Sequence, residues 1–142
     1  LAAASLAVAS PPPYDEAADA RAEIQAALVQ AQRSSVPVLV VFGANWCGDC
    51  KVLDMAFKSG TSAPLINRSF KVVKVNVGRF DKNVEIAETY GVPLKSGIPA
   101  VVVLTPEGKV TYATRAGELA DARRMGESGI YDFFVKVAAT GK

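Results

Sequence analysis

The chain contains only two cysteines, Cys47 and Cys50, and they stand three positions apart. A thiolate can act as a nucleophile, a metal ligand or half of a disulfide. A Cys-x-x-Cys pair is therefore half a zinc site, a small covalent clip or a redox centre. The chain has no histidine, so Cys–His and Ser–His catalytic pairs and histidine metal sites are excluded. Zinc would need further ligands beyond the two thiolates, supplied by carboxylates or by another subunit. A purely structural disulfide closing so short a loop would restrict the unfolded chain very little. The redox centre is the reading that the residues serve best.

The elements around the pair support that chemistry. Val36 to Phe42 is an unbroken β-branched and apolar run, which predicts a strand covered by helices on both faces. Pro37 sits at its start, where a missing donor does least harm. Gly43-Ala44-Asn45 turns the chain into Trp46-Cys47-Gly48-Asp49-Cys50, and a helix with Val52, Leu53, Ala56 and Phe57 on its inner side should follow. A helix beginning near Cys47 offers unpaired N–H groups and a positive dipole end to an anion. Cys47 should then be an exposed, acidified, attacking thiol, with Cys50 on nearly the same face and in reach of a mixed disulfide.

The remaining pattern predicts a helix over 15–32 with an apolar stripe of Ala18, Ala22, Ile24, Leu28 and Ala31. A further turn is expected over 63–68, and a second strand over 70–77. A helix over 81–90 should be capped by Asp81 and stopped at Gly91. Pro99 to Thr105 reads as a third strand, returned through Pro106-Glu107-Gly108-Lys109 to Val110–Thr114, and a last helix runs over 130–139. Helix–strand alternation followed by a hairpin implies an α/β fold, a mixed sheet with helices on both faces.

The 142 residues suit one domain, placed at 14–142. Half of the residues are apolar, 21% are charged, and the net charge is +2. That composition lacks the electrostatic footprint of nucleic-acid binding. No apolar run approaches the length of a membrane span. Residues 1–13 read as a signal-peptide remnant and a proline-rich tail: Ala7-Val8-Ala9 is an A-x-A cleavage pattern, and Pro11-Pro12-Pro13 is a stiff spacer. This predicts export to a periplasm or to the cell exterior, where disulfides persist.

Val40 to Lys51, containing Trp46-Cys47-Gly48-Asp49-Cys50, resembles the active-site segment of the thioredoxin family. Gly97-Ile98-Pro99 resembles that family's second signature, a proline that is cis and faces the cysteines, and Val73-Lys74-Val75-Asn76 resembles the strand between. The helical lead-in suggests the periplasmic thioredoxin-like branch, including the soluble domains of disulfide-interchange systems. The resemblance implies the thioredoxin fold and thiol–disulfide exchange through Cys47 and Cys50, with no cofactor beyond their disulfide. It assigns substrate binding and tuning to Trp46, Gly48, Asp49, Ile98, Pro99 and Lys74, with the Ile98 backbone pairing to a substrate strand. It implies protein disulfides or dithiols as substrates and a membrane electron donor; the chain itself is expected to act as a monomer.

There are departures. The family's buried acid would fall at Val41, and the proline of its active-site helix at Met55. The loop Val92–Ser96 is longer by about three residues, should lie beside the site and could select substrates. Asp49 replaces a proline, and its charge near Cys47 argues against a strong oxidant. A reductase or electron relay is favoured, with a disulfide isomerase as the first alternative. A non-catalytic peptide-binding module with a static disulfide is the alternative of another class.

Overall fold

The computed structural model describes residues 11–140; the signal-like stretch over 1–10 lies outside them. Four strands, β1 (Val38–Gly43), β2 (Lys71–Asn76), β3 (Ala100–Leu104) and β4 (Val110–Ala113), form one sheet in the order β2-β1-β3-β4. β1 runs parallel to β2 and antiparallel to β3, and β3 and β4 form the expected hairpin. The helices are α1 (Ala20–Ser34), α2 (Gly48–Lys58), α3 (Ser62–Ser69), α4 (Val84–Thr89) and α5 (Ala122–Thr140). This is the thioredoxin fold, with its helices on both faces of a mixed sheet.

All six residues of β1 are buried, and the pleat divides them between two cores. Val38, Val40 and Phe42 face α1 and α4 with Ile24, Val75 and Val102. Leu39 and Val41 face α2, α3 and α5 with Leu53, Ile66 and Phe134. Each such aliphatic side chain contributes about 1.5–3 kcal/mol when fully buried. The central strand is therefore the rigid rail that delivers the Cys47 loop.

Several elements differ from the sequence expectation. Helix α1 starts at Ala20, because Asp19 takes the N-cap and its side chain accepts the Ala22 N–H at 3.1 Å. Its buried face is Ala20, Ile24, Ala27 and Ala31, whereas Ala22 is exposed and Ala18 and Leu28 are half-buried. In so alanine-rich a segment, composition hardly marks the face. Helix α4 starts three residues later than expected. Asn83 precedes it in the left-handed region, φ 54°, and the Asp81 carboxylate accepts the Arg79 N–H rather than capping the helix. Helix α5 begins at Ala122 and is broken at Gly126, φ 70°.

Candidate redox site at the end of the central strand

The chain leaves β1 at Gly43, and the Cys47 N–H bonds the Ala44 carbonyl at 3.2 Å as the loop turns. Cys47 is the N-cap of α2, with extended φ/ψ, and its sulfur accepts the Cys50 N–H at 3.2 Å. A sulfur here stands where a capping oxygen usually does and receives one of the helix's unpaired donors. The two sulfurs form a disulfide, with Cα atoms 5.2 Å apart. The expected exposure of Cys47 is not found. Cys47 is 5% exposed and Cys50 1%, because the Ile98 carbonyl oxygen closes over the Cys47 sulfur at 3.7 Å. The pair differs in direction more than in depth: Cys47 faces the Ile98–Pro99 turn, and Cys50 faces the interior.

Ile98–Pro99 is a cis peptide bond, and both residues are buried beside Cys47. Trp46 is 47% exposed. Its Nε1–H donates to the Gly78 carbonyl at 2.8 Å, its ring meets Phe80 edge-on, and the Arg79 guanidinium lies 5.6 Å from its centre. The indole therefore ties the cysteine loop to the turn after β2. Phe80 then opens an apolar groove of about 640 Å³ shared with Val84, Val92, Pro93 and Leu94. The lengthened loop, wound into a 3-10 turn over Leu94–Ser96, forms one wall of that groove.

Asp49 is not free in solvent. Its carboxylate accepts the Arg123 N–H at 2.9 Å and the Arg123 Nε–H at 3.2 Å. The same guanidinium lies over Gly48, where an added Cβ would stand 3.3 Å from it. The charge that argues against an oxidant is thus partly offset by an opposite one, whose own side chain is 67% exposed and screened by solvent. Asp49→Asn should shift the pH midpoint of Cys47 alkylation downward and Arg123→Gln upward, each by a few tenths of a unit at low salt, about the size expected for a half-solvated charge. Identical alkylation profiles in both variants would show that this pair leaves Cys47 untouched.

Lys74 pairs with Asp54, which stands one helical turn after Cys50 on α2. Its Nζ donates to one Asp54 carboxylate oxygen at 2.7 Å, and Lys58 holds the other at 2.8 Å. Asp54 is only 6% exposed. Val41, where the resembling family has its acid, pairs with Lys74 across the β1–β2 ladder and is fully apolar. The carboxylate beside this lysine therefore comes from α2 instead of β1. Met55 is exposed, and α2 runs uninterrupted for 11 residues.

Two residues at the site escaped the sequence reading. Tyr14, 2% exposed, lies in the core with Cys50. Asn45 clamps it, accepting the Tyr14 N–H at 2.8 Å and donating to the Tyr14 carbonyl at 2.9 Å. Among the described residues, no group of three or more Asp, Glu, Cys or His side chains is gathered for a metal ion.

A thioredoxin-like family model matches residues 19–106. A disulphide isomerase from Xylella fastidiosa Temecula1 superimposes with a TM-score of 0.87 at 50% identity, over 91% of this chain and 98% of that one. Thioredoxin 1 of Nostoc is 34% identical over 90 residues, 58% of this chain and 70% of that protein. The reduced DsbD C-terminal domain of Neisseria meningitidis has a TM-score of 0.56 at 17% identity, over 86% of this chain and 96% of that one, a likeness of fold alone.

Proposed function

The chain belongs to the thioredoxin-like family, and from that premise we propose how its thiol–disulfide oxidoreductase chemistry runs: as a reductase of protein disulfides, with Cys47 attacking and Cys50 resolving. The observation that carries the reading is the sulfur of Cys47 at the N-cap of α2, directed at the Ile98–Pro99 turn. In the reduced protein a Cys47 thiolate attacks one substrate sulfur. A Cys47–substrate bond forms, and the other substrate sulfur leaves as a thiolate that takes a proton from water. Cys50 then gives its proton to solvent and attacks the Cys47 sulfur. The Cys47–Cys50 bond closes, the second substrate thiolate departs, and an external dithiol resets the pair.

Isomerisation is the second reading. It is favoured by the 50% identity to a structure described as a disulphide isomerase and by the apolar groove beside Trp46, a surface suited to an unfolded chain. The Ile98 backbone would pair with a substrate strand. A domain over 14–142 is part of this reading, and the membership of Tyr14 in the core supports its start. Export to an oxidising compartment, with a membrane electron donor, rests on Leu1–Ser10 and its A-x-A pattern. Reduction of insulin by dithiothreitol should accelerate at least about tenfold with micromolar protein. Reactivation of scrambled ribonuclease without net reduction would select the isomerase. A protein that speeds neither reaction is no catalyst, and the static-disulfide module would replace both readings.

A further inference from the structure

Tyr14 precedes the span matched by the family model, which starts at residue 19. It nevertheless occupies the back of the redox site. A Cβ placed on Gly43 would collide with the Tyr14 hydroxyl and would stand 2.9 Å from the Cys50 sulfur. The phenol oxygen and the sulfur thus converge on the bare Cα of Gly43, from the chain's N-terminal segment and from α2. The placement is enforced from a second direction by the two-point clamp between Asn45 and the Tyr14 backbone. Asn45 also donates to Glu16 at 3.3 Å, so the active-site loop holds the whole strap.

A buried hydroxyl seeks a partner. In the oxidised protein its neighbour is a disulfide sulfur, a poor acceptor. Asp54, the nearby carboxylate, already holds a lysine on each oxygen. Reduction frees the Cys50 sulfur from its bonded partner, as a thiol that accepts weakly or as a thiolate that accepts strongly. Burial, helped by the charge of Asp54, pushes the Tyr14 phenol above its ordinary range, so it remains an O–H donor.

We propose that the Tyr14 hydroxyl donates a hydrogen bond to the Cys50 sulfur of the reduced protein and thereby makes the Cys47–Cys50 pair easier to reduce. Tyr14 is thus a tuning residue for the redox couple, an inference that rests on the oxidoreductase reading above. The bond favours one side of a balanced exchange. Two glutathione thiols supply two electrons and two protons, the Cys47–Cys50 bond breaks to two thiols, and glutathione disulfide forms.

The test is the equilibrium of the full chain with glutathione, read by counting alkylated thiols. Tyr14→Phe keeps the ring and its packing and removes only the donor. Its equilibrium constant for reduction should fall about tenfold, a shift of about 30 mV toward a more reducing couple. Asn45→Ala should move the constant in the same direction, and combining it with Tyr14→Phe should add nothing, because the clamp acts through the hydroxyl. A Phe variant within twofold of the parent would overturn the role of Tyr14 while leaving the oxidoreductase reading intact. Shifts that simply add in the double variant would overturn the clamp. A parent protein that never equilibrates with glutathione would overturn both readings together.

Discussion

Cys50→Ser should turn the protein from a catalyst into a trap, accumulating mixed disulfides through Cys47, while Cys47→Ser should accumulate few and show no turnover. The expectation follows from direction. The Cys47 sulfur points to the Ile98–Pro99 turn, where a substrate strand can approach, and the Cys50 sulfur points at Gly43 and Tyr14. Depth alone would not decide, since both residues are buried. Removing the resolving thiol replaces an intramolecular attack by a bimolecular one. Set against about 10⁻³ M external dithiol, effective molarities of about 10⁵ M for well-oriented groups imply a resolving step slower by as much as about 10⁸-fold. Mass spectrometry of the trapped adducts, with alkylation to locate the bonded sulfur, reads the result. Comparable trapping by both variants would reverse or dissolve the assignment of roles.

The parts of this site that were legible in the sequence are those with local signatures. The apolar run of β1 ending in Gly43 announces a buried strand, and the cysteine pair beyond it falls at the helix start that strand–loop–helix order demands. Gly97-Ile98-Pro99 is similarly local and does come to lie against Cys47. What was not legible depends on contacts distant in the chain. The bond from Arg123 to Asp49 spans 74 positions, and neither residue announces the other. Asp54 lies between Leu53 and Met55 in a helix whose polar positions read as solvated, yet two lysines permit its burial. Tyr14 follows three prolines in a polar stretch, so composition makes it a boundary residue. Only the Asn45 amide, reaching back 31 positions, reveals it as core.

Gly43→Ala should be the most disruptive single methyl that the site can receive. The glycine does not have a positive φ, so the substitution meets no backbone penalty of that kind and the effect isolates space. The added carbon would overlap the Tyr14 hydroxyl and ring edge and press on the Cys50 sulfur. Neither neighbour yields easily: Tyr14 is pinned by Asn45, and Cys50 is fixed by its helix and its disulfide. Overpacking of this kind costs about 1–3 kcal/mol, measurable as a lower urea midpoint of the oxidised protein. Tyr14→Ala alone should cost about 3 kcal/mol or more, as a large aromatic lost from a core. The cycle joining the two is the decisive measurement. With the phenol gone, the methyl introduced by Gly43→Ala enters the vacated space, and the double variant should be at least about 1 kcal/mol more stable than additivity predicts. Strict additivity would mean that Tyr14 and Gly43 do not share the space behind Cys50, and the packing described for the back of the redox site would be wrong.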